Sequence, residues 1–336
     1  MARVAINGFG RIGRCFFRAV HAREGCGVEI VAVNDLGSPE NLAYLLKYDT
    51  VYGRAPFSVA VEHGALVVDG KKIALSREKD PAKLPWAAHN IDIVIESTGF
   101  FTDPDKALAH LTAGAKRVVI SAPVKGDAPT ILMGVNEEKL KTCAISSNAS
   151  CTTNAASPLI GILDEAIGIE RAILNTTHAY TATESIVDAA SKDDDFRRGR
   201  AGAQNLIPES TGAAHATTKA HTQLEKKFDG IAIRVPVISG SLVDVTFVSK
   251  RPTTVDEVNG ALRTAAKSDR WKDIFATVEE PIVSSDVIGQ PYGGIADLAL
   301  TRVVDGTLVK VLAWYDNEMG YAYTLLAHVL AAGKQI

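Results

Sequence analysis

The stretch Val4-Ala-Ile-Asn-Gly-Phe-Gly-Arg-Ile-Gly13 decides the fold of the first part of the chain. Its first three residues form an apolar strand pattern, and a helical pattern runs from Arg11 to about His21. The glycine pattern G-x-G-x-x-G therefore joins a strand to a helix, as a dinucleotide-binding fingerprint requires. Without that strand and helix, the same glycines would indicate only a turn in an unrelated protein. The stretch predicts a strand–turn–helix unit that binds a dinucleotide.

The glycines and a later acid each have a physical role in such a unit. Gly8 permits the tight turn, Gly10 lets the backbone approach the pyrophosphate, and Gly13 lets the helix pack closely on the sheet. The helix N-terminus offers amide groups and its positive dipole end to the phosphates. Asp35 ends the next strand pattern, where a carboxylate binds the adenosine ribose and repels a 2′-phosphate. Its neighbours, residues 36–38, include no arginine, so the sequence favours NAD over NADP.

Short strands and helices alternate through the first part of the chain. Further apolar strand patterns lie at Val28–Val33, Ile91–Glu96, Arg117–Ile120 and Ala144–Ser146. Apolar strands that alternate with helices predict a parallel sheet covered on both faces. We therefore expect residues 1–150, together with a C-terminal helix in residues 317–336, to form an α/β Rossmann-type dinucleotide-binding domain.

The pattern changes after about residue 151. A predicted helix from about Thr153 to Ile167 precedes longer strands rich in β-branched residues, at Ala172–Thr177, Gly230–Pro236, Leu242–Ser249 and Ala296–Val303. Such runs with few helices predict an α+β catalytic domain with a mixed or antiparallel sheet, at residues 151–316. A polar stretch from Tyr180 to about Asn205 has no clear period, and loops of that length are usually functional.

Composition excludes several functional classes. The 336 residues are 46% hydrophobic and 22% charged, and the net charge is −3 with both signs mixed. This balance argues against a nucleic-acid surface and against a polybasic membrane anchor. No apolar run approaches the ~20 residues of a membrane helix, and the first residues lack the pattern of a signal peptide. The four cysteines lack metal-type spacing and are too few for a disulfide scaffold, so we expect a reduced, cytoplasmic protein without a metal site.

Cys151 is the candidate nucleophile. It lies in Ser147-Asn-Ala-Ser-Cys-Thr-Thr-Asn154, just after a strand pattern and at the start of a helix. The helix dipole and amide donors stabilise a thiolate there, so we expect a depressed pKa. Cys15 and Cys143 lie in or beside apolar elements, as buried structural cysteines do.

His178 is the candidate base, because it follows the apolar strand Ala172–Thr177. A lone histidine at a strand end is usually an ordinary surface or core residue. Its pairing with Cys151 requires a fold in which the two strand ends converge, and spacing alone does not show this.

Seven blocks of sequence resemble the phosphorylating glyceraldehyde-3-phosphate dehydrogenases. The blocks are Ala5–Arg14, Leu46–Asp49, Ser147–Asn154, His178–Thr183, Ser210–Ala214, Arg234–Pro236 and Trp314–Glu318. They occur in the family's order and close to its spacings, so the resemblance covers the whole chain. It implies a homotetramer that acts in glycolysis or gluconeogenesis.

The resemblance implies covalent chemistry at Cys151. In the family, the matching cysteine attacks the aldehyde carbon of D-glyceraldehyde 3-phosphate to give a thiohemiacetal. The matching histidine, His178, takes the hydroxyl proton and supports the oxyanion. Hydride transfer to NAD then leaves a thioester, which inorganic phosphate cleaves to 1,3-bisphosphoglycerate.

The resemblance also assigns ligand contacts. Thr181 and Arg234 match residues for the substrate phosphate, and those for the attacking phosphate match Ser150, Thr152, Thr211, Gly212 and Arg198. Hydroxyls, amides and guanidinium groups suit phosphate, although each serine or threonine is equally suited to a turn or helix cap. Asn317 matches the residue that orients the nicotinamide carboxamide, and further cofactor contacts match Arg11, Ile12, Arg77, Ser97, Thr98 and Ser121.

Some positions depart from the family's pattern. Ala155 stands where many members have a second cysteine, and His215 stands where lysine is usual. The polar loop contains an acidic segment, residues 192–195, whose effect the sequence leaves open. The preceding Ala-Ala-Ser at 189–191 resembles members that accept NADP, which opposes the argument from Asp35. NADP therefore remains an alternative cofactor.

The main prediction is an NAD-dependent enzyme for glyceraldehyde 3-phosphate, and an NADP-preferring form is its nearest alternative. Three other functions share some of these features. An erythrose-4-phosphate dehydrogenase shares the Cys151 block, but the stretches after His178 and Ser210 favour the three-carbon substrate. An aspartate-semialdehyde type of dehydrogenase lacks both the Cys151 block and the block at Trp314–Glu318. A non-catalytic module that binds nucleotide or RNA fits poorly with the net charge of −3 and with an intact cysteine and histidine.

Overall fold

The computed structural model of the chain describes residues 1–23, 25–191 and 194–336. Two residues of the acidic segment, Lys192 and Asp193, lie outside the described residues. The described chain divides into two compact units, residues 1–149 with 322–336 and residues 150–321. The expected domains, 1–150 with 317–336 and 151–316, stay a prediction for the functional domains of the protein.

The first unit alternates strands and helices along the chain. Its strands are β1 (Ala2–Asn7), β2 (Val28–Asn34), β3 (Tyr48–Asp49), β4 (Gly53–Arg54), β5 (Val59–Glu62), β6 (Ala65–Val68), β7 (Lys71–Ser76), β8 (Ile93–Glu96), β9 (Arg117–Ile120) and β10 (Ile145–Ser147). Its helices are α1 (Arg11–Ala22), α2 (Pro39–Lys47) and α3 (Pro104–Thr112), with short 3₁₀ helices at Pro81–Lys83 and Glu137–Thr142.

In the described part of this unit, eight strands form one sheet in the order β10-β9-β8-β1-β2-β7-β6-β5. The neighbours from β10 to β7 pair in parallel, which confirms the predicted parallel sheet. The antiparallel extension formed by β5, β6 and β7 is not predicted from the sequence. Its short strands leave many positions exposed and therefore lack the continuous apolar pattern of the central strands.

The register of the central strands brings the predicted cofactor residues to one edge of the sheet. Asn7, the last residue of β1, pairs with Asn34 at the end of β2 and with Glu96 at the end of β8. Gly8 and Asp35 follow directly after β1 and β2. In open α/β sheets, ligands bind outside the carboxyl ends of the strands, so this edge is the expected cofactor crevice.

The second unit contains helices α4 (Cys151–Ala166), α5 (Ala213–Ala220) and α6 (Val255–Ala266). Its strands are β11 (Ile169–Ala179), β12 (Ile207–Ser210), β13 (Phe228–Val235), β14 (Ser241–Ser249), β15 (Phe275–Val278), β16 (Gly294–Val304) and β17 (Leu308–Tyr315). Short 3₁₀ helices lie at Phe196–Gly199, Thr222–Leu224 and Ser284–Val287. The strands form a sheet in the order β12-β13-β11-β14-β17-β16-β15. The pairs β11/β13 and β15/β16 are parallel and the others are antiparallel, which confirms a mixed sheet.

Local hydrogen bonds set the starts of two helices that the sequence places less accurately. Helix α4 begins at Cys151 because the Ser150 hydroxyl caps it, accepting from the backbone N of Thr153 at 3.1 Å. The last helix, α7 (Met319–Gly333), begins two residues later than Asn317, because the Asp316 carboxylate accepts from the backbone N of Met319 at 3.0 Å. Within the described ranges, none of the helices combines the length and apolar character needed to cross a membrane.

Candidate active site

The glycine turn after β1 has the geometry that a pyrophosphate site needs. Gly8 has φ +95°, and a Cβ there would meet the backbone C of Ser97 at 2.6 Å. A Cβ at Gly13 would lie 2.3 Å from the Gly8 carbonyl oxygen, so α1 could not approach the turn. At Gly10 a Cβ would meet no atom within 4 Å, which leaves the N-terminus of α1 open to a ligand. The turn therefore fits a phosphate group at the backbone of the fingerprint.

A cavity of about 490 Å³ lies at this edge of the sheet, inside the first unit. Its lining residues are Asn7, Gly8, Gly10, Asn34, Asp35, Leu36, Glu78, Lys79, Ser97, Thr98, Phe100 and Phe101. Glycine backbone, an acid at the end of β2 and two aromatic rings are the groups that suit a phosphate, a ribose and a flat base. The residues present thus fit a dinucleotide.

Asp35 is held rigidly at the end of β2. One carboxylate oxygen accepts from the backbone N of Phe9 at 2.7 Å, and the other accepts from the backbone N of Gly37 at 2.8 Å. Each oxygen keeps further acceptor capacity for a ribose hydroxyl. The structure also brings Arg77 to this loop, with Nη2 donating to the carbonyl oxygen of Leu36 at 2.9 Å. The sequence of residues 36–38 does not reveal this cation, because Arg77 follows β7 and is distant in sequence from Asp35.

Other predicted cofactor residues lie near the same turn but use their side chains within the protein. Arg11 forms an ion pair with Asp49, and Ile12 packs against the core of the unit. Their backbone amides lie in the first turn of α1, the part of a helix that is suited to anions. The Ser97 hydroxyl donates to the Gly8 carbonyl oxygen at 2.7 Å, and the Ser121 hydroxyl donates to a backbone carbonyl at the end of β8 at 3.1 Å.

Sequence patterns do not reveal Glu96, a buried carboxylate at the end of β8. It accepts hydrogen bonds from the backbone N of Thr98 at 2.8 Å and from the Asn7 amide at 2.6 Å. His110 Nε2 lies 3.0 Å from the same carboxylate, while His110 Nδ1 accepts from the Trp86 indole at 3.0 Å. Because Nδ1 accepts, Nε2 carries the proton and donates to Glu96. The carboxylate is fully satisfied and fixes Thr98 at the cavity.

The second unit brings Cys151 and His178 together. Cys151 is the first residue of α4, and His178 lies near the end of β11. The Cys151 Sγ atom is 3.3 Å from His178 Nε2. This is hydrogen-bond distance for a sulfur and the arrangement of a nucleophile beside its base. The sequence alone could not establish this convergence.

The prediction of a depressed pKa for Cys151 is wrong. Cys151 keeps some exposed surface as a residue. Protein atoms nevertheless surround its thiol, and burial raises the thiol pKa, although Arg234 and hydrogen bonds from Thr152 act in the opposite direction. Burial, followed by the charge of Arg234, lowers the pKa of His178 to about 3. Burial thus favours the neutral form of both groups, and the 3.3 Å contact gives the thiol proton a nearby acceptor in His178 Nε2.

The second ring nitrogen of His178 has two competing partners. Nδ1 lies 2.6 Å from the Ala179 carbonyl oxygen, which accepts only, and 2.9 Å from Arg234 Nη1, which donates only. When Nδ1 carries the proton and donates to Ala179, Nε2 presents a lone pair to the thiol. When Nδ1 accepts from Arg234, Nε2 carries the proton and donates toward the thiol side. The site thus supports both proton acceptance and oxyanion stabilisation by one ring.

The two predicted phosphate-binding arginines meet at one carboxylate. Arg234 Nε donates to Glu209 at 2.5 Å, and Arg198 Nε donates to the other oxygen of Glu209 at 2.6 Å. A second buried acid, Glu184, lies 3.7 Å from Arg234 Nε. Glu184 also accepts from the backbone N of Thr181 at 2.7 Å, which fixes the loop after β11. Three of the predicted anion ligands are therefore connected by two acids.

The predicted hydroxyl ligands also have local partners. Thr152 Oγ1 lies 2.9 Å from the hydroxyl of the buried Tyr315, whose ring packs edge-on against His178. Ser150 caps α4, and the Thr211 hydroxyl accepts from a backbone N in the first turn of α5 at 3.2 Å. Gly212 is the residue before α5, and a Cβ there would meet no atom within 4 Å. Local hydrogen bonds therefore explain Ser150, which caps α4, and Thr211, whose hydroxyl accepts from Ala213 N. Both hydroxyls lie beside helix N-termini, which attract anions.

Asn317 has its amide oriented by neighbouring donors. Its Oδ1 accepts from the Ser241 hydroxyl at 2.9 Å and from the backbone N of Gly240 at 3.2 Å. Ser241 in turn accepts from the backbone N of Ala179 at 3.1 Å, one residue after His178. The backbone donor fixes which end of the amide is the oxygen, so the Asn317 NH₂ group points away from these contacts.

Two family models match the chain. Residues 2–104 match the model described as "Glyceraldehyde 3-phosphate dehydrogenase, NAD binding domain", and residues 150–317 match the corresponding C-terminal domain. This chain belongs to the glyceraldehyde 3-phosphate dehydrogenase family. The two domain descriptions confirm the predicted fold class and NAD as the cofactor of this family's dinucleotide-binding domain.

Curated relatives agree with the family along the full chain. The chain is 47% identical over 336 residues to "Glyceraldehyde-3-phosphate dehydrogenase 2" of Streptomyces avermitilis, covering 99% of each sequence. It is 48% identical over 336 residues to the glyceraldehyde-3-phosphate dehydrogenase of Streptomyces coelicolor, again with 99% of each covered. It is 46% identical over 322 residues to that of Zymomonas mobilis, covering 95% of each. These names agree with the main functional prediction and not with the erythrose 4-phosphate alternative.

The roles of single residues stay predictions. The structure also places residues in the candidate site that the sequence did not suggest. Glu184 and Glu209 bind the arginines, and Phe100 and Phe101 line the cavity. A signal existed for Glu209: it shares the inward face of β12 with Ile207, where period-two alternation calls for an apolar residue. An acid at such a position requires a buried positive partner.

Proposed function

We propose that this protein oxidises and phosphorylates D-glyceraldehyde 3-phosphate, converting it with NAD and inorganic phosphate to 1,3-bisphosphoglycerate and NADH. The observation that carries the proposal is the 3.3 Å approach of Cys151 Sγ to His178 Nε2, beside an arginine on β13. A thiol nucleophile, a base and a cation for an anionic substrate are the groups that acyl-transfer chemistry on a phosphorylated aldehyde requires.

The first stage joins the substrate to the enzyme. His178 Nε2 takes the thiol proton while Sγ of Cys151 forms a bond to the aldehyde carbon. The same proton passes to the carbonyl oxygen, and the product is a thiohemiacetal. The Nδ1 contact with the Ala179 carbonyl holds the ring in the orientation that places Nε2 at the sulfur.

The second stage oxidises and releases the acyl group. NAD, when bound, supplies the acceptor for the hydride that leaves the thiohemiacetal carbon. His178 Nε2 takes the hydroxyl proton, and a thioester remains on Cys151. A phosphate oxygen then attacks the thioester carbon, the carbon–sulfur bond breaks, and His178 returns its proton to the sulfur.

Two anion sites serve this sequence in the proposal. Arg234 and Thr181 hold the phosphate of the substrate, since Glu209 and Glu184 order them beside His178. The attacking phosphate is held by Ser150, Thr152, Thr211, Gly212 and Arg198. Helix N-termini support the second group, because the first turns of α4 and α5 follow Ser150 and Gly212.

The remaining parts of the proposal rest on the family resemblance. The protein acts in the cytoplasm as a homotetramer, in glycolysis or gluconeogenesis. Asn317 binds the nicotinamide carboxamide with its oriented NH₂ group. The partners are small molecules, and neither a nucleic acid nor a membrane is proposed as one.

Initial rates test the proposal directly. The purified protein is assayed with D-glyceraldehyde 3-phosphate and NAD, with and without inorganic phosphate, and then with NADP or erythrose 4-phosphate in place of the preferred compound. We expect sustained NADH formation only when phosphate is present, and a higher kcat/KM for the three-carbon aldehyde. Equal turnover without phosphate would contradict the phosphorylating function.

A further inference from the structure

One buried carboxylate connects two arginines that come from separate elements of the second unit. Glu209 lies on β12, Arg234 lies on β13, and Arg198 lies in the 3₁₀ helix at Phe196–Gly199. The Glu209 side chain is 2% exposed, whereas those of Arg198 and Arg234 are 26% and 15% exposed. The acid is thus at the closed side of the cluster, and the guanidinium groups are nearer to solvent.

The contacts use one edge of each arginine. Each oxygen of Glu209 accepts from one Nε, at 2.5 Å for Arg234 and 2.6 Å for Arg198. The Nη groups take no part in these two bonds. Arg234 Nη1 instead lies 2.9 Å from His178 Nδ1 and 3.2 Å from the Ala179 carbonyl oxygen. A guanidinium held through Nε has its plane fixed, and the directions of its Nη groups are fixed with it.

The placement of Glu209 also argues for a specific role. Buried carboxylates are costly unless they are paired and hydrogen-bonded, and a well-packed apolar residue usually stabilises a core at least as well. Glu209 pairs with Ala232 in the sheet register and precedes Thr211 and Gly212 by only two and three residues. The carboxylate thus contacts one arginine assigned to each phosphate, and it lies on the strand that leads to Thr211 and Gly212.

We propose that Glu209 is a positioning residue, which fixes the guanidinium groups of Arg198 and Arg234 so that one carboxylate preorganises both anion sites. The proposal rests on the function proposed above. An unanchored arginine has many rotamers, and their loss on binding weakens the affinity for an anion. A carboxylate that holds both side chains removes this loss for both phosphates at once.

The negative charge of Glu209 weakens anion binding, whereas its positioning contacts strengthen it. The two effects therefore predict opposite changes in anion affinity when Glu209 is replaced. A negative group close to two phosphate sites repels them, so removal of the charge alone would strengthen anion binding. Loss of the positioning contacts would weaken it. Glu209→Gln removes the charge and leaves one acceptor oxygen for two Nε donors. Glu209→Asp keeps the charge but shortens the side chain, so it cannot hold both arginines.

The experiment compares both variants with wild type and with Glu257→Gln, which removes the acid from an exposed ion pair with Arg251. KM is measured for D-glyceraldehyde 3-phosphate and for phosphate, and kcat/KM is measured for unphosphorylated D-glyceraldehyde at saturating phosphate. Protection of Cys151 by inorganic phosphate against iodoacetamide gives a phosphate affinity that does not depend on turnover. Wild-type turnover without any phosphate requirement would refute the proposed function, and the protection assay would still test Glu209.

We expect both variants to raise the two KM values at least fivefold and to weaken phosphate protection similarly. Activity on D-glyceraldehyde should stay within about threefold, and Glu257→Gln should match wild type. Stronger phosphate binding in Glu209→Gln with unchanged binding in Glu209→Asp would show that charge dominates, and it would overturn the proposal. Unfolding of both variants would show that Glu209 is needed for the fold, and this result would also overturn the proposal.

Discussion

Cys151 Sγ lies 3.3 Å from His178 Nε2, and both residues have pKa values that favour their neutral forms. Burial causes both shifts, since it raises the pKa of the thiol and lowers that of the imidazole. In the proposed mechanism, the Cys151 thiol is therefore activated by proton transfer to His178, which lies within hydrogen-bond distance.

Cys151→Ser should nearly abolish dehydrogenase activity while leaving the fold and NAD binding intact. A hydroxyl occupies almost the same volume but is a far weaker nucleophile near neutral pH. Turnover and NAD binding are measured on the same preparation. As a control, Cys143→Ser, which alters a half-buried cysteine elsewhere in the chain, should keep wild-type turnover. Substantial turnover in Cys151→Ser would mean that no covalent intermediate forms at this residue.

His178→Asn should slow acylation and move the pH profile of Cys151 alkylation to higher pH. General-base assistance contributes ~10²–10⁴-fold in rate, and an asparagine cannot accept the thiol proton. The wild-type profile should show no step from His178 between pH 5 and 8, because burial lowers the pKa of this group to about 3.

The matched control for this variant is His221→Asn, which changes another buried histidine of the second unit. His221 Nε2 lies 3.0 Å from the Ser157 hydroxyl, and burial lowers its pKa to about 4. Its substitution should leave the alkylation profile unchanged. An identical profile for wild type and His178→Asn would show that His178 does not act on the thiol.

Local sequence could predict the parts of the site that depend on backbone patterns. The strand, the glycine turn and the helix start are local, so Gly8, Gly10 and Gly13 lie at the predicted edge of the sheet. The helix start at Cys151 is also local, although its exact first residue depends on the Ser150 cap. These features follow from neighbours that are close in sequence.

The rest of the site depends on contacts between distant residues. The raised pKa of Cys151 comes from burial in the folded unit, which a helix-dipole argument does not include. Arg77 reaches the loop after β2 from the end of another strand. Glu209 contacts Arg198 and Arg234, which are 11 and 25 positions away in the sequence. No spacing rule could connect these groups before the strands were in register.

Asp35→Gly should weaken NAD binding and narrow the preference for NAD over NADP. The carboxylate is fixed by the backbone N of Phe9 at 2.7 Å, so it would face a 2′-phosphate directly. Wild type should prefer NAD, but by less than an isolated acid would give, because Arg77 lies beside the same loop. The measurement is kcat/KM for both cofactors at saturating aldehyde and phosphate.

Arg77→Met tests the effect of the Arg77 charge apart from that of the Asp35 charge. Removal of the arginine should widen the preference for NAD, since Asp35 then acts without a nearby cation. A wild type that prefers NADP would contradict the role of Asp35. An NADP preference that disappears in Arg77→Met would be assigned to Arg77, and one that persists would be assigned to the Ala-Ala-Ser at 189–191.

His328 should make the stability of the protein depend on pH. It is fully buried, with Nε2 2.9 Å from the Ser146 hydroxyl and Nδ1 3.1 Å from the Asn148 side-chain oxygen. Burial lowers its pKa from 6.5 to about 3 in the folded protein. Below pH 6.5 the unfolded chain therefore binds a proton that the folded chain excludes, and stability falls as the pH drops toward 3. The loss between pH 7 and 5 is about 2 kcal/mol for this group.

His328→Gln should lower the stability at pH 7 but reduce its change between pH 7 and 5. Urea unfolding at the two pH values measures both effects. His215→Gln, at an exposed position of α5, serves as the control and should keep the wild-type difference. An unchanged pH dependence in His328→Gln would show that this histidine is not excluded from protonation.

Trapping of the acyl-enzyme shows whether a covalent intermediate forms on Cys151. The protein is mixed with D-glyceraldehyde 3-phosphate and NAD without phosphate, quenched in acid, digested and examined by mass spectrometry. We expect a 3-phosphoglyceroyl thioester on the peptide that contains Cys151, formed together with a burst of NADH and lost when inorganic phosphate is added before the quench. Absence of this adduct during an NADH burst, or an adduct on Cys15, Cys26 or Cys143 instead, would rule out Cys151 as the covalent nucleophile.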